Sequence, residues 1–230
     1  MNDKKLHIAL VESALETVPK EIIDHPAVVK NARRRGKKPW EVLLDVSLHY
    51  HAMKNLKDWF KRGRPDIVHV TLLEALESPL NRSGLLEIYI HTYGDYVLFI
   101  DPETRIPRNY NRFVGLIEQV FAFGKAPLDT DKPLLYIRNM DLKKLVHEIG
   151  LNGYVLLHEK GVETTFENVV KTCLEKRYLI GVGGFPHGDF RKDILEDAVM
   201  RVSVYHESLP SWIIVSRLIF EAEKLLGIIR

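Results

Sequence analysis

The chain has one cysteine, Cys173, in 230 residues, so no internal disulfide can form and a reducing compartment is expected. It has a single glutamine against 33 Lys and Arg and 31 Asp and Glu, a balance compatible with a thermophile. No apolar run approaches bilayer-spanning length, and the start MNDKKLHIALVES lacks a signal-peptide layout. A cytoplasmic protein without a membrane partner is the expectation. There is no internal repeat, no low-complexity tract and no evident linker. Several catalytic signatures are missing too. Neither G-x-S-x-G nor the phosphate-cradling G-x-x-x-x-G-K-[ST] occurs, which leaves hydrolase and kinase chemistry unsupported. His147-Glu148 lacks the second histidine of a zinc-protease helix, and His49 and His51 would point to opposite sides of a helix, so no metal site is expected. Cys173 stands among apolar neighbours on an amphipathic pattern, the setting of a core residue rather than a nucleophile.

What is present is a 46% apolar chain, enough to build a sizeable core without staples. Net charge is only +2, but its distribution is uneven. Between Lys30 and Arg64 eleven Lys and Arg face three acids, Glu41, Asp45 and Asp58, while acids gather later, as in DFRKDILEDA. Such a segment grips phosphates or forms a solvated flank, and charge alone does not choose between them.

LHIALVES (6–13) reads as an apolar strand and the basic stretch 30–39 as a loop or extended arm. The run 41–60 has helical spacing and closes at Gly63. IVHVTL (67–72) reads as a buried strand leading into a short helical turn stopped by Pro79. LLEIYIHT and DYVLFID flank Tyr93-Gly94-Asp95, the composition of a hairpin turn. RIPRNYNR (105–112) is an arginine-loaded connection, and RFVGLIEQVFAFG a helix ended by Gly124. Strands and helices then alternate: LLYIR, a helix capped by Asp141 and stopped at Gly150, YVLLHE, a helix capped by Thr165, YLIGVGG, RVSVY, and a long terminal helix. That order implies an α/β domain with a mostly parallel sheet and a β-hairpin insertion.

The glycine-rich run IGVGGFPHG (180–188) sits at the carboxyl end of a strand, where open parallel sheets bind ligands. It is not a dinucleotide fingerprint, because Pro186 stands where the last glycine should be. Gly183, Gly184 and Gly188 would instead bring backbone close to a flat ligand, unless the run is simply a tight strand-to-helix turn. Arg105, Arg108 and Arg112 recur in one short connection with Asn109 and Tyr110, residue types that bind phosphate bidentately and stack on bases. Ion pairs to the acid-rich 193–197 segment are the alternative. In RGRPDIVHVTL, Pro65 favours an extended Arg64, and Asp66 would lie on the same side of the chain. Asp66 then either orients the Arg64 guanidinium or acts as a base.

RPDIVH, its spacing to RIPRNYNRF, the turn VGGFPHG and the closing SLPSWIIVSRLIFEAEKLLGII together resemble the pseudouridine-N1-specific small-subunit ribosomal RNA methyltransferases of the SPOUT, or α/β-knot, class. The resemblance spans essentially the whole chain. It implies a single methyltransferase domain over 1–230, with the hairpin and arginine-rich insertion at about 80–112. A cofactor-binding part at about 134–230 would be threaded into a C-terminal trefoil knot. S-adenosylmethionine would be the cofactor, contacted by Gly183, Gly188 and the segment Val204, Tyr205, His206, Glu207, Ser208 and Leu209, with Leu157 closing the pocket. The segment VYHESL departs from the eukaryotic-type I-S-N-Y-P-L-S version, and its proline comes later, at Pro210. Arg64 would meet the RNA with Asp66 as its brace, Asp66 as general base being the lesser reading. Arg105, Arg108 and Arg112 would hold RNA backbone and flanking bases. The implied partners are small-subunit rRNA, a second copy in a homodimer, and ribosomal or assembly proteins. A ribosome-assembly RNA-binding factor in which methylation is secondary or lost is the competing reading.

Overall fold

The structure, a computed structural model, describes residues 5–229; the first four residues of the start discussed above and Arg230 lie outside them. Eight strands form one sheet in the order β4-β5-β3-β2-β1-β7-β6-β8. They are β1 (Leu6–Ser13), β2 (Leu86–Thr92), β3 (Tyr96–Ile100), β4 (Lys125–Ala126), β5 (Leu135–Asn139), β6 (Tyr154–Glu163), β7 (Leu179–Gly183) and β8 (Met200–Ser203). The run β2-β1-β7-β6-β8 is parallel throughout, and β3, β5 and β4 extend it antiparallel.

β1 lies in the middle and is buried on both faces, as a mostly apolar strand in a parallel sheet must be, with Glu12 and Ser13 buried at its carboxyl end. Its alternate residues part company: Leu6, Ile8 and Leu10 join one apolar cluster, Ala9 and Val11 another. The first cluster lies under α3 (Pro65–Glu77), the short α4 (Pro79–Arg82), α5 (Tyr110–Phe123), α7 (Phe166–Lys176) and α9 (Ser211–Leu225). The second lies under α6 (Leu142–Glu148) and α8 (Lys192–Asp197). A third, smaller cluster fills the space around α1 (Pro26–Arg34) and α2 (Val46–Met53).

The sequence-expected hairpin is present, with Asp95 in the left-handed region at φ 56°. Its strands are not set apart as an appendage: β2 pairs directly with central β1. The Asp141 and Thr165 caps form as expected, each side chain accepting from the backbone three residues on, and Gly124 and Gly150 take positive φ where helices end.

Three expectations are corrected. IVHVTL is the first half of α3, not a strand. Its buried positions, 65, 67, 68, 69, 71, 72, 75 and 76, cover a broad helical face, which a six-residue window rich in β-branched residues conceals. Pro65 sits in the first turn, where its missing N–H costs nothing. The first half of the basic stretch, 30–34, is the end of helix α1 rather than an extended arm; 35–38 form a turn and connection. The run 41–60 is not one helix. Asp45 caps α2 by accepting from Ser47 N at 2.8 Å, and 3-10 turns at Pro39–Glu41 and Trp59–Lys61 flank it.

Candidate active site

A cavity of about 360 Å³ opens where β7 and β8 end beside residues 157–159 of β6. In open parallel sheets the carboxyl ends of the strands are where ligands lie. Register brings Leu156 opposite Gly181 and Leu157 opposite Val202, so Leu157, Val182 and Val202 form one floor. The loop after β7, residues 184–190, forms one wall. The segment 204–210 before α9 forms another.

The first wall is pinned to the sheet centre. Gly184 N donates to Val11 O at 2.8 Å, and Ala14 N donates to Gly184 O at 2.9 Å. A Cβ on Gly184 would stand 2.8 Å from the Ser13 Cα, so this crossing of β1 and the loop admits glycine alone. Gly188 turns the loop at φ 95°, against the Phe60 ring. Asp189 accepts from His158 Nε2 at 2.9 Å and from Phe190 N at 2.7 Å. Burial acts to raise the Asp189 pKa, but those two hydrogen bonds outweigh it and hold the carboxyl below its ordinary value. Ser211 Oγ ties the second wall to the floor by donating to Gly183 O at 2.6 Å.

Of the sequence-expected cofactor residues, Leu157, Gly183, Gly188, Val204, Tyr205, Glu207, Ser208 and Leu209 line this cavity. His206 does not; its side chain is 70% exposed, and its ring lies 4.2 Å from that of Tyr205. Sequence reasoning missed His158, Asp189, Ser211 and Trp212, which also line the cavity. The HGD that follows the glycine run was a usable signal for Asp189; nothing local marked His158.

Arg64 lines the same cavity, although it precedes the glycine turn by more than a hundred residues. It stands at the N-cap of α3, and Asp66 lies in the first turn. Arg64 Nε donates to Asp66 Oδ1 at 2.8 Å and Nη2 to Oδ2 at 2.7 Å. The fork is therefore orthodox even though the chain there is the start of a helix rather than extended. The hydrogen bonds to Asp66 raise the guanidinium pKa, against a smaller opposing effect of burial. Both Asp66 oxygens are occupied, the geometry of a brace rather than of a base.

Arg105, Arg108 and Arg112 are exposed around the N-terminus of α5. Arg108 reaches both oxygens of Glu77 at 3.1 Å, with both side chains more than half exposed. The acid-rich 193–197 segment is engaged elsewhere, by Arg191, Lys192 and Lys143. The arginine connection is tied to α3 by His69 Nε2, which donates to Pro107 O at 2.7 Å. Tyr110 donates to Asp45 at 2.6 Å. Its phenol is pushed up by burial first and then by Asp45, with Asp66 and Arg64 close enough to contribute. The connection and Arg64 thus share one electrostatic neighbourhood.

The basic segment 30–64 is only partly available to a ligand. Arg35 and Lys37 converge on buried Glu118, and Arg62 forms a two-bond pair with Glu16 at 2.7 Å. Lys30, Arg33, Arg34, Lys38, Lys54 and Lys57 remain exposed. Cys173 is buried, and burial pushes its thiol up to about 12, which removes it as a nucleophile. Among the described residues no cluster of three or more His, Cys, Asp or Glu is placed to hold a metal, and no helix is long and apolar enough to cross a membrane.

The same architecture is found in a crystal structure of Archaeoglobus fulgidus Nep1 bound to S-adenosylhomocysteine. The match has a TM-score of 0.86 at 38% identity and covers 97% of this chain and 99% of that one. The fold is that of a SPOUT-class methyltransferase. Residues 8–223 match the sequence model of the EMG1/NEP1 methyltransferases. A ribosomal RNA small subunit methyltransferase Nep1 of Staphylothermus marinus is 59% identical over 230 residues, with all of both chains covered. The protein of that name from Thermococcus onnurineus is 47% identical over 219 residues, 95% of this chain and 98% of its own. The chain belongs to the EMG1/NEP1 methyltransferase family.

Proposed function

We propose that this protein transfers the methyl group of S-adenosylmethionine to N1 of a pseudouridine in small-subunit ribosomal RNA, and so serves small-subunit ribosome biogenesis. One observation carries the reading: Arg64, braced by Asp66, lines a cavity otherwise built from strand ends and the glycine loop. A fixed cation at the rim of a nucleoside-sized cavity suits an enzyme that brings a flipped-out RNA base to a small cofactor. The substrate class accords with the names of the relatives, and the cofactor with the ligand of the A. fulgidus protein.

The residues fit the cofactor. The cavity volume falls within the range of about 300–1,000 Å³ usual for small-molecule sites. The glycine backbone at 183 and 188 offers a close approach that a Cβ would obstruct, at 3.2 Å from Phe190 and 2.8 Å from Phe60 respectively. When bound, S-adenosylmethionine supplies an electrophilic methyl on a sulfonium. Ile67, Leu157, Leu209 and Ile214 give the cavity an apolar part of its lining, which would limit the entry of water. Arg64 holds the RNA so that the pseudouridine N1 faces the methyl, and Asp66 holds Arg64. Pseudouridine has a free ring N1–H because its sugar is attached through carbon, whereas uridine has none. The proton leaves to solvent: both Asp66 oxygens are engaged by Arg64, and hydrogen bonds hold the Asp189 carboxyl below its ordinary pKa. Positioning and stabilisation of the developing anionic ring account for the catalysis.

To the same reading belong a trefoil knot in the part at about 134–230, a working homodimer, Arg105, Arg108 and Arg112 on the RNA backbone, cytoplasmic residence, and contacts with ribosomal or assembly proteins. The test is incubation with methyl-labelled cofactor and matched loop RNAs carrying uridine or pseudouridine, with the label mapped by mass spectrometry. Label at N1 of the pseudouridine RNA alone is expected. Equal labelling of both RNAs, or label on ribose, overturns the specificity.

A further inference from the structure

Lys61 is an unusual lysine: only 5% of it is exposed, and its ammonium has three partners. Nζ donates to Asp189 O at 2.7 Å, lies 3.1 Å from Glu12 Oε2, and sits 4.2 Å from the centre of the Phe185 ring. Phe185 and Asp189 both line the cavity, whereas Lys61 does not. Glu12 is fully buried at the end of β1 and holds φ 50°, a left-handed backbone that non-glycine residues rarely adopt. Its carboxylate also accepts from Arg191 N at 2.8 Å, at the far end of the same loop. Two rare features, a buried lysine and a strained buried glutamate, thus meet behind the loop. Buried charges persist where they are paired, and backbone strain where the surroundings over-determine it.

We propose that Lys61 is a positioning residue of the methyl-donor site: held by the Glu12 carboxylate, it fastens the Asp189 carbonyl and the Phe185 ring and so fixes the 185–190 loop in its ligand-binding shape. The inference rests on the methyltransferase reading. Phe60 adds to the fastening by packing where a Cβ on Gly188 would stand. Lys61 touches neither cofactor nor RNA; it acts through the loop. Its removal therefore weakens cofactor binding more than it slows a saturated enzyme.

Lys61→Met alone would leave the buried Glu12 carboxylate with Arg191 as its remaining cation, its Nε 3.5 Å from Oε1, and endanger the fold. The test thus uses Lys61→Met combined with Glu12→Gln, which removes both charges at nearly constant shape, and Lys61→Arg as a conservative variant. S-adenosylhomocysteine affinity is measured by calorimetry, turnover at saturating cofactor and pseudouridine RNA, and amide exchange over 185–190 against β1 and β7. For the double variant, the Kd and the cofactor KM are expected to rise about tenfold or more while kcat falls less than about threefold. Loop exchange should quicken with strand exchange unchanged, and Lys61→Arg should recover part of the affinity. Should that double variant not fold, Lys61→Gln combined with Glu12→Gln, which keeps polar groups in both places, is measured instead: wild-type loop exchange and cofactor affinity overturn the proposal. Unchanged cofactor Kd in a folded double variant, or equal losses in kcat and kcat/KM, also overturn it. Failure of the wild-type protein to bind S-adenosylhomocysteine overturns the methyltransferase reading itself.

Discussion

Arg64 and Asp66 are joined by two parallel hydrogen bonds of 2.8 and 2.7 Å, and this pair stands at the rim of a cavity whose floor lies at the far end of the sequence. The side chains are 34% and 43% exposed, so solvent screens the pair. Read from sequence as buried, such a pair would cost several kcal/mol to break; in this setting the loss is about 1 kcal/mol or less. Asp66→Ala should lower the melting temperature only slightly and weaken RNA binding clearly, because the guanidinium is no longer held in one orientation. Asp66→Gly adds a helix-propensity cost of about 1 kcal/mol in the first turn of α3. Thermal melting and RNA titration of the two variants separate brace from backbone; unchanged RNA affinity in both would refute the orienting role.

Among the described residues Arg108 pairs with exposed Glu77 alone. Arg108→Ala should leave stability within about 0.5 kcal/mol of the parent. It should also reduce the salt dependence of RNA binding by about one counterion, with cofactor affinity unchanged. RNA titrations at several salt concentrations measure this directly. A collapse of cofactor binding would show the residue to be structural.

Gly188 combines φ 95° with a Phe60 ring carbon 2.8 Å from where its Cβ would stand. Gly188→Ala is expected to weaken S-adenosylhomocysteine binding about tenfold or more through displacement of the loop, a strain of the order of 1–3 kcal/mol. Calorimetry provides the check, with RNA binding as the control that should not move.

Asp95 accepts two hydrogen bonds from Arg191 and one from His91. Burial alone would raise its pKa. The bonds from His91 and Arg191 prevail and hold it well below the ordinary carboxylate range. Because the folded-state value is depressed, the stabilisation is present above the unfolded pKa, near 4, and is lost as pH falls through the folded value. The folded protein should therefore lose this contribution progressively as the medium is acidified below about pH 4. Asp95→Asn keeps a residue tolerant of the left-handed backbone and should flatten the acid limb of the stability curve. Melting temperatures between neutral and acidic pH give the comparison, and parallel curves for the two proteins would refute the assignment.

Much of the parallel half of the fold was legible because each of its signals is local: caps at Asp141 and Thr165, the Gly124 stop, apolar strands of uniform character. The glycine loop was legible for the same reason. α3 was not, because a helix buried on a broad face and rich in Val, Ile and Thr carries the composition of a strand. Nor was the company Arg64 keeps, since its neighbours at the cavity come from β6, β7 and the segment before α9. Lys61 looked like one more cation in a basic run. Its pairing with Glu12 depends on the order of strands in the sheet, which no spacing in the sequence expresses. Within the segment 204–209, His206 alone stands outside the cavity lining, and nothing local in VYHESL marks it.

The crossing at Gly184, where Val11 and Ala14 hold the loop by backbone hydrogen bonds, has a consequence for how the protein matures. During synthesis β1 emerges early and must wait, with neither the β7 edge nor the loop available, until nearly the whole chain has been made. Ser211, which ties Gly183 to the last helix, arrives later still. Contacts so remote in sequence form slowly. An incomplete nascent chain thus carries the basic segment and the exposed arginines while it still lacks the segments 184–190 and 204–210 that wall the cavity.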